Sequence, residues 1–185
     1  MKLAPALQYS HELLKNTVRP GETVVDATVG NGHDTQFLAE LVGNSGQVLG
    51  FDIQPAAIQA TTTRLAAANL QNVSLYQTGH QNVDQYLSTD LSAAIFNLGY
   101  LPSGDKSVIT HGQTTIEAVQ KMLPHLRTEG LICLVVYYGH PGGNDERIAV
   151  EKFTATLPQK EFNVLEYQFV NQAHTPPKLI VIQKR

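Results

Sequence analysis

Residues 24–34 read Val24-Val25-Asp26-Ala27-Thr28-Val29-Gly30-Asn31-Gly32-His33-Asp34. A short apolar run ends in a carboxylate and breaks into a turn with two glycines. A helical pattern follows, with Phe37, Leu38 and Leu41 on one face. The stretch predicts a strand, a tight loop and the start of a helix. Gly30 and Gly32 let the backbone take positive φ and approach a ligand closely. The helix start adds N–H groups that have no intrahelical partner. Twenty-six residues after Asp26, a second apolar run, Val48-Leu49-Gly50-Phe51, ends in Asp52. A carboxylate at the tip of the second strand is where a doubly wound α/β fold holds a ribose diol. Together the two features predict a nucleoside-containing cofactor.

The loop reads G-x-G-x-x-T, with Thr35 where the dinucleotide fingerprint has its third glycine. No lysine follows as in a P-loop, which argues against a nucleoside triphosphate. Asp26 would repel a pyrophosphate but would receive an amino-acid ammonium, directly or through water. S-Adenosyl-L-methionine carries an ammonium and a sulfonium and no phosphate, so it fits better than NAD. The expected cofactor contacts are Asp26, Gly30, Asn31 and Gly32 at the methionine part, with His33 beside the loop. Asp52 is expected at the ribose hydroxyls, Gln54 and His80 near the adenosine, and Asn97 at the point of transfer. Asp34 reads as an N-cap of the first helix after the loop.

The 185 residues suit one domain, residues 1–185, with a substantial core. Apolar residues make up 42% and charged residues 16%, which describes a globular chain. A net charge of −3 counts against broad electrostatic binding to nucleic acid but leaves a local basic patch open. The single cysteine, Cys133, lies in Leu131-Ile132-Cys133-Leu134-Val135-Val136 and reads as a small buried hydrophobe. There is no run of 18 apolar residues and no signal-peptide pattern at Met1-Lys2-Leu3, so no membrane association and a cytoplasmic location are expected. His11, His33, His111, His125 and His174 show no metal-ligand spacing, and no metal is expected.

Strands and helices alternate along the chain, which predicts a mostly parallel sheet covered on both faces. A leading helix is expected over 5–16. Strands are expected at 23–27, 47–51, 73–77, 92–97, 131–137, 162–168 and 178–183. Helices are expected near 34–41, 55–69, 81–86, 112–123 and 143–157. Pro55 suits a first helical turn, and Gly130 reads as a helix-to-strand turn. The short link from Asn171 to Pro177 makes the last two strands a hairpin. Seven strands with a terminal antiparallel hairpin describe the Rossmann-like class I methyltransferase sheet. Asp26, Asp52, Gly79-His80, Asn97 and His140 all fall at strand carboxyl ends, where such sheets bind ligands.

The candidate chemistry lies in Asn97-Leu98-Gly99-Tyr100-Leu101-Pro102. Amine-directed methyltransferases carry (Asn/Asp)-Pro-Pro-(Tyr/Phe) after the fourth strand. Asn97 and Tyr100 match the outer positions, while Leu98 and Gly99 replace the prolines. The Asn97 side-chain oxygen and the Leu98 carbonyl are expected to accept two hydrogens from a substrate amine. The Tyr100 ring is expected to stack on a planar base. The competing reading makes Asn97 an ordinary turn residue. His80 and His140 are candidate proton acceptors, although a loop histidine is more often a hydrogen-bonding or solvated residue, and His80 equally suits the adenine edge.

Val25-Asp26-Ala27-Thr28, Gly30-Asn31-Gly32 and Gly50-Phe51-Asp52-Ile53-Gln54 resemble a bacterial family labelled rRNA methylase. So do Ala94–Pro102, Gly104-Asp105-Lys106-Ser107, Tyr138-Gly139-His140 and Tyr167–Gln172, so that nearly the whole chain is covered. The Asn-Leu-Gly-Tyr-Leu-Pro string is the specific part; the glycine loop is shared by many methyltransferases. Departures are Ser103, commonly Gly or Lys in the family, and His33, commonly Asn. The resemblance implies a tRNA methyltransferase acting on 5-(aminomethyl)-2-thiouridine at the wobble position of the anticodon, with S-adenosyl-L-homocysteine as coproduct.

Alternatives are an rRNA base N-methyltransferase, a small-molecule amine methyltransferase and a cofactor-binding regulator without catalysis. The Asn97–Tyr100 pattern counts against the last. Lys106, Arg147 and Lys178, near the expected active face, are candidate RNA contacts, against the commoner reading of solvated surface charge. A homodimer is expected if a second copy completes the tRNA surface.

Overall fold

The computed structural model describes residues 3–101 and 109–185. Pro102, the string Gly104–Ser107 with its Lys106, and the Ser103 departure lie outside the described residues, as do Met1 and Lys2.

The elements run α1 (Ala6–Thr17), β1 (Thr23–Asp26), α2 (His33–Val42), β2 (Gln47–Phe51), α3 (Pro55–Ala67) and β3 (Val73–Tyr76). A short 3₁₀ helix, His80–Gln85, leads to β4 (Leu91–Leu98) and α4 (Gly112–Met122). Then come β5 (Leu126–Val136), α5 (Gly143–Thr154), β6 (Phe162–Tyr167) and β7 (Lys178–Lys184). The sheet has seven strands in the order β3-β2-β1-β4-β5-β7-β6. Its first five strands are parallel, and β7 pairs antiparallel with both β5 and β6. The strand order reverses between β1 and β4, which opens a crevice at their carboxyl ends.

Alternation along the central strands divides the core between the two faces of the sheet. Ala93 and Ile95 of β4, with Leu131, Cys133 and Val135 of β5, pack with Leu14 of α1 and Leu38 of α2. Ala94 and Phe96, with Ile132 and Leu134, face Val119 and Met122 of α4. Continuous burial of both faces explains why residues 93–96 and 131–136 are apolar without interruption. Burial pushes the Cys133 thiol up to about 12, consistent with its inert place in the core. Among the described residues, no helix is long and apolar enough to cross a membrane.

Two local expectations are corrected. Gly130 is no turn between a helix and a strand; it lies inside β5, which starts at Leu126. Between Leu126 and Leu131 the register against β4 shifts, because four residues of β5 oppose Ser92 alone. A Cβ at Gly130 would lie 2.8 Å from the Arg127 carbonyl and 2.9 Å from that of Ser92, so the irregularity needs glycine. The segment expected as a helix near 81–86 is the 3₁₀ helix.

The leading helix is anchored to the sheet. Leu14 is fully buried, and the Tyr167 hydroxyl donates to the Ala4 carbonyl at 2.8 Å. Leu14→Ala is expected to cost about 2–5 kcal/mol, the range for emptying a buried leucine site. Chemical denaturation of the variant beside the parent measures it.

Candidate active site

The loop after β1 folds as the glycines require. Gly30 has φ 53° and Gly32 φ 76°. A Cβ on Gly32 would lie 2.6 Å from Thr61 Oγ1, so the close packing of α3 against the loop also excludes a side chain there. Gly32 is the N-cap of α2 and gives no side-chain hydrogen bond. Asp34 therefore does not cap the helix, contrary to expectation. It lies in the first helical turn, where the helix dipole favours its charge.

The crevice between β1 and β4 is lined by six of the expected residues: Gly30, Asp52, Gln54, His80, Asn97 and Tyr100. Asp52 accepts from the N–H groups of Gly30 at 2.9 Å and Gln54 at 2.9 Å, which fixes its carboxylate at the crevice wall. Ile53, exposed beside it, offers an apolar surface. His80 Nδ1 lies 3.0 Å from the Ala27 carbonyl. A carbonyl only accepts, so Nδ1 carries the proton and Nε2 is the acceptor. Nε2 is buried and has no partner among the described residues. Burial holds the imidazole below its usual titration range, and so neutral.

Asp26, Asn31, Gly32 and His33 do not line the crevice. Asp26 is fully buried beneath the loop, where it accepts from Thr35 Oγ1 at 2.6 Å and from the Thr28 N–H at 3.2 Å. Thr35, the residue that departs from the dinucleotide fingerprint, is thus the partner of Asp26. Asn31 and His33 lie on the other side of the loop, toward α3. Arg64 donates to the Asn31 carbonyl at 2.8 Å and lies 3.0 Å from His33 Nε2.

Asn97 is held at both ends. Its N–H donates to Thr28 Oγ1 at 2.7 Å, and its side-chain Nδ2 donates to Asp34 Oδ2 at 2.6 Å. The Leu98 carbonyl, expected as the second acceptor for an amine, receives the Tyr137 N–H at 2.9 Å in the β4–β5 ladder, which leaves its second lone pair for that role. Tyr100 is exposed at the crevice, and its ring meets that of His140 edge to face at 5.4 Å. His140 does not line the crevice; its Nδ1 lies 3.0 Å from the Pro141 carbonyl.

Residues that sequence reasoning missed brace this region. Thr110 donates to the buried Glu146, and its hydroxyl accepts the Gly99 N–H at 2.8 Å. Thr115 donates to the same carboxyl at 2.9 Å. Burial raises the Glu146 carboxyl above the usual range. Of the candidate RNA contacts, Lys178 is buried between Glu151 at 2.6 Å and Glu166 at 2.8 Å. Arg147 pairs with Glu151 at 2.8 Å and lies over the Tyr138 ring. Both cations are engaged in ion pairs within the fold.

The electrostatics favour a cation. Burial, then the charges of Asp34 and Asp52, push Asp26 from 3.8 up to about 7. S-Adenosylmethionine suits this site on three observations. Asp52 keeps acceptor capacity at the wall, His80 Nε2 is a neutral buried acceptor suited to an amino group, and the three carboxylates attract an ammonium and a sulfonium.

The raised Asp26 gives a signed pH test. The fold binds its proton more tightly than the unfolded chain does. Its contribution to stability is therefore fully present below about pH 4 and lost as pH rises to about 7. Asp26→Asn is expected to remove this slope from thermal melts taken without cofactor. In the parent, a cationic ligand favours the ionised form, so S-adenosylmethionine affinity is expected to rise through pH 7. Titration calorimetry across that range checks it.

The family described as "Putative rRNA methylase" matches residues 48–183, and that of protein-L-isoaspartate O-methyltransferases matches residues 4–87. A chloroplastic tRNA (mnm5s2U34)-methyltransferase of Arabidopsis thaliana is 36% identical over 191 residues, spanning 97% of this chain and 69% of that protein. A Clostridium thermocellum structure described in the same words as the first family superposes with a TM-score of 0.98 at 47% identity, covering both chains in full. A Streptococcus mutans "putative methyltransferase" in complex with S-adenosylhomocysteine superposes with a TM-score of 0.92 at 39% identity, again over both whole chains. A crevice suited to an adenosyl cation, on this sheet and with these relatives, places the chain in the rRNA methylase family, as an S-adenosylmethionine-dependent methyltransferase of class I fold.

Proposed function

We propose that this methyltransferase transfers a methyl group to the aminomethyl nitrogen of 5-aminomethyl(-2-thio)uridine at the wobble position of tRNA. The observation that carries the reading is the Asn97 side chain, held at the crevice by Asp34 and followed by the exposed Tyr100. An amide acceptor beside an aromatic surface suits an amine attached to a planar base. The Arabidopsis relative, whose name specifies that tRNA position, supports the same substrate.

S-Adenosylmethionine supplies the methyl group: the amine lone pair forms the N–C bond as the C–S bond breaks, and sulfur keeps that electron pair. The chain's own residues have three tasks. Asp52 and His80 would hold the adenosine, Asp52 through the ribose hydroxyls and His80 through the amino group of adenine. Asn97 accepts one hydrogen of the amine and so aims the lone pair. The apolar lining, including Leu101 and Ile109, together with the like charge that a bound sulfonium would add, disfavours the ammonium form of an alkylamine whose pKa in water is roughly 10. Catalysis then rests on positioning and on exclusion of water. Tyr100 supplies the stacking surface for the base.

Purified protein is expected to methylate tRNA bearing 5-aminomethyl-2-thiouridine and to leave unmodified tRNA unchanged, as read by nucleoside mass spectrometry. Methylation of unmodified rRNA fragments in its place overturns the substrate assignment. Asp52→Ala is expected to weaken cofactor binding by about 2–3 kcal/mol, the scale of charge-assisted hydrogen bonds. Asn97→Ala is expected to bind cofactor within a few-fold of the parent but to lose on the order of 100-fold in single-turnover rate. Cofactor titration paired with rapid-quench transfer separates the two effects.

A further inference from the structure

Asn97 can present either end of its amide to the crevice. One end accepts and the other donates, and only the accepting end suits an amine whose lone pair must stay free. A flipped amide would donate its N–H to that lone pair and block attack. The structure holds a device that decides the orientation. Asp34 Oδ2 lies 2.6 Å from Asn97 Nδ2. A carboxylate only accepts, so the group facing it is the NH₂ and the oxygen is turned the other way. The second oxygen of Asp34 lies 2.7 Å from His11 Nε2, which must then carry the proton. The His11 ring is stacked on Phe37 at 4.1 Å with 13° between the planes, which fixes its direction. The Asp34 side chain is 10% exposed, so water competes little for these bonds.

The orientation matters more here because the nearby backbone acceptors are partly engaged. The Leu98 carbonyl is bonded to the Tyr137 N–H and the Gly99 carbonyl to the Thr110 N–H. Each of these carbonyls already accepts one N–H, which makes Asn97 Oδ1 the side-chain acceptor on which the aim of the amine depends. We infer that Asp34, braced by His11 of the leading helix, sets the Asn97 amide with its oxygen toward the acceptor amine, and is thereby a positioning residue for methyl transfer. This rests on the amine reading above. It gives α1 a place in the active site: the helix that Leu14 anchors to the sheet also carries His11 to the carboxylate.

The test combines a spectrum with a mutant cycle. In ¹⁵N-labelled protein, the Asn97 side-chain amide is expected to show one downfield, exchange-protected proton, lost in Asp34→Asn. Single-turnover rates on the aminomethyl tRNA, at saturating tRNA and cofactor, are expected to fall about ten-fold in Asp34→Asn, the scale of one charge-assisted hydrogen bond. The KM for tRNA is expected to stay unchanged. His11→Ala lowers the rate in the same way, and His11→Gln, which keeps an N–H donor, restores part of it. In an Asn97→Ala background neither Asp34→Asn nor His11→Ala lowers the rate further. Combining Asp34→Asn with Asn97→Asp regains rate, because donor and acceptor then change sides. Additive losses, a parental rate in Asp34→Asn, or a wild-type spectrum without the protected proton overturn the inference. If Asp34→Asn does not fold, the His11 pair and the wild-type spectrum decide. A wild-type enzyme that leaves the aminomethyl tRNA unmethylated overturns the substrate reading, whereas the spectrum still decides the orientation.

Discussion

Three carboxylates gathered around one glycine loop repel one another, and the surrounding structure is arranged to hold that charge. Asp26 is fully buried, and burial with its acidic neighbours pushes its carboxyl up to about 7. Asp52 is held by two backbone N–H groups. Asp34 is held by His11, by Asn97 and by the start of α2. Each is supported differently because each sits at a different depth. A cationic ligand completes the arrangement, which is the physical reason the site suits a sulfonium and an ammonium better than a pyrophosphate.

The sheet order makes this gathering possible. β1 lies between β2 and β4, so the strand ends bring Asp52 and Asn97 to one crevice and bury Asp26 beneath the loop beside it. α2 starts directly behind the loop and adds Asp34. α1 packs on the same face of the sheet as α2 and adds His11. The opposite face supplies a second brace: Glu146 of α5, which accepts from Thr115 of α4, also holds Thr110, just before α4, whose hydroxyl accepts the Gly99 N–H. The residue proposed to meet the amine is thus restrained on its side chain from one face and through its following backbone from the other. For a reaction that depends on positioning, such double restraint keeps the acceptor atom in place without a covalent partner.

Much of this was legible in the sequence. Period-2 and period-3.6 patterns, the two glycines and the strand-end acids are local signals, and they placed the strands to within a few residues except at β5. They also placed Gly30, Asp52, Gln54, His80, Asn97 and Tyr100 at one crevice, because the carboxyl end of a parallel strand is a position that sequence order identifies. Where local signals misled, the cause was a distant partner. Gly130 reads as a turn until Ser92 is packed against it. Lys178 reads as an open cation until Glu151 and Glu166 are brought beside it.

By itself the sequence determined the α/β architecture, the cofactor class and the strand-end residues, because each follows from spacing along one stretch of chain. Only the tertiary structure decided what those residues do to one another. His11 and Asp34 are 23 residues apart, and Asp34 and Asn97 are 63 apart. No periodicity links such positions. They meet because two helices and a strand bury their apolar faces together, and that burial fixes where their polar groups point.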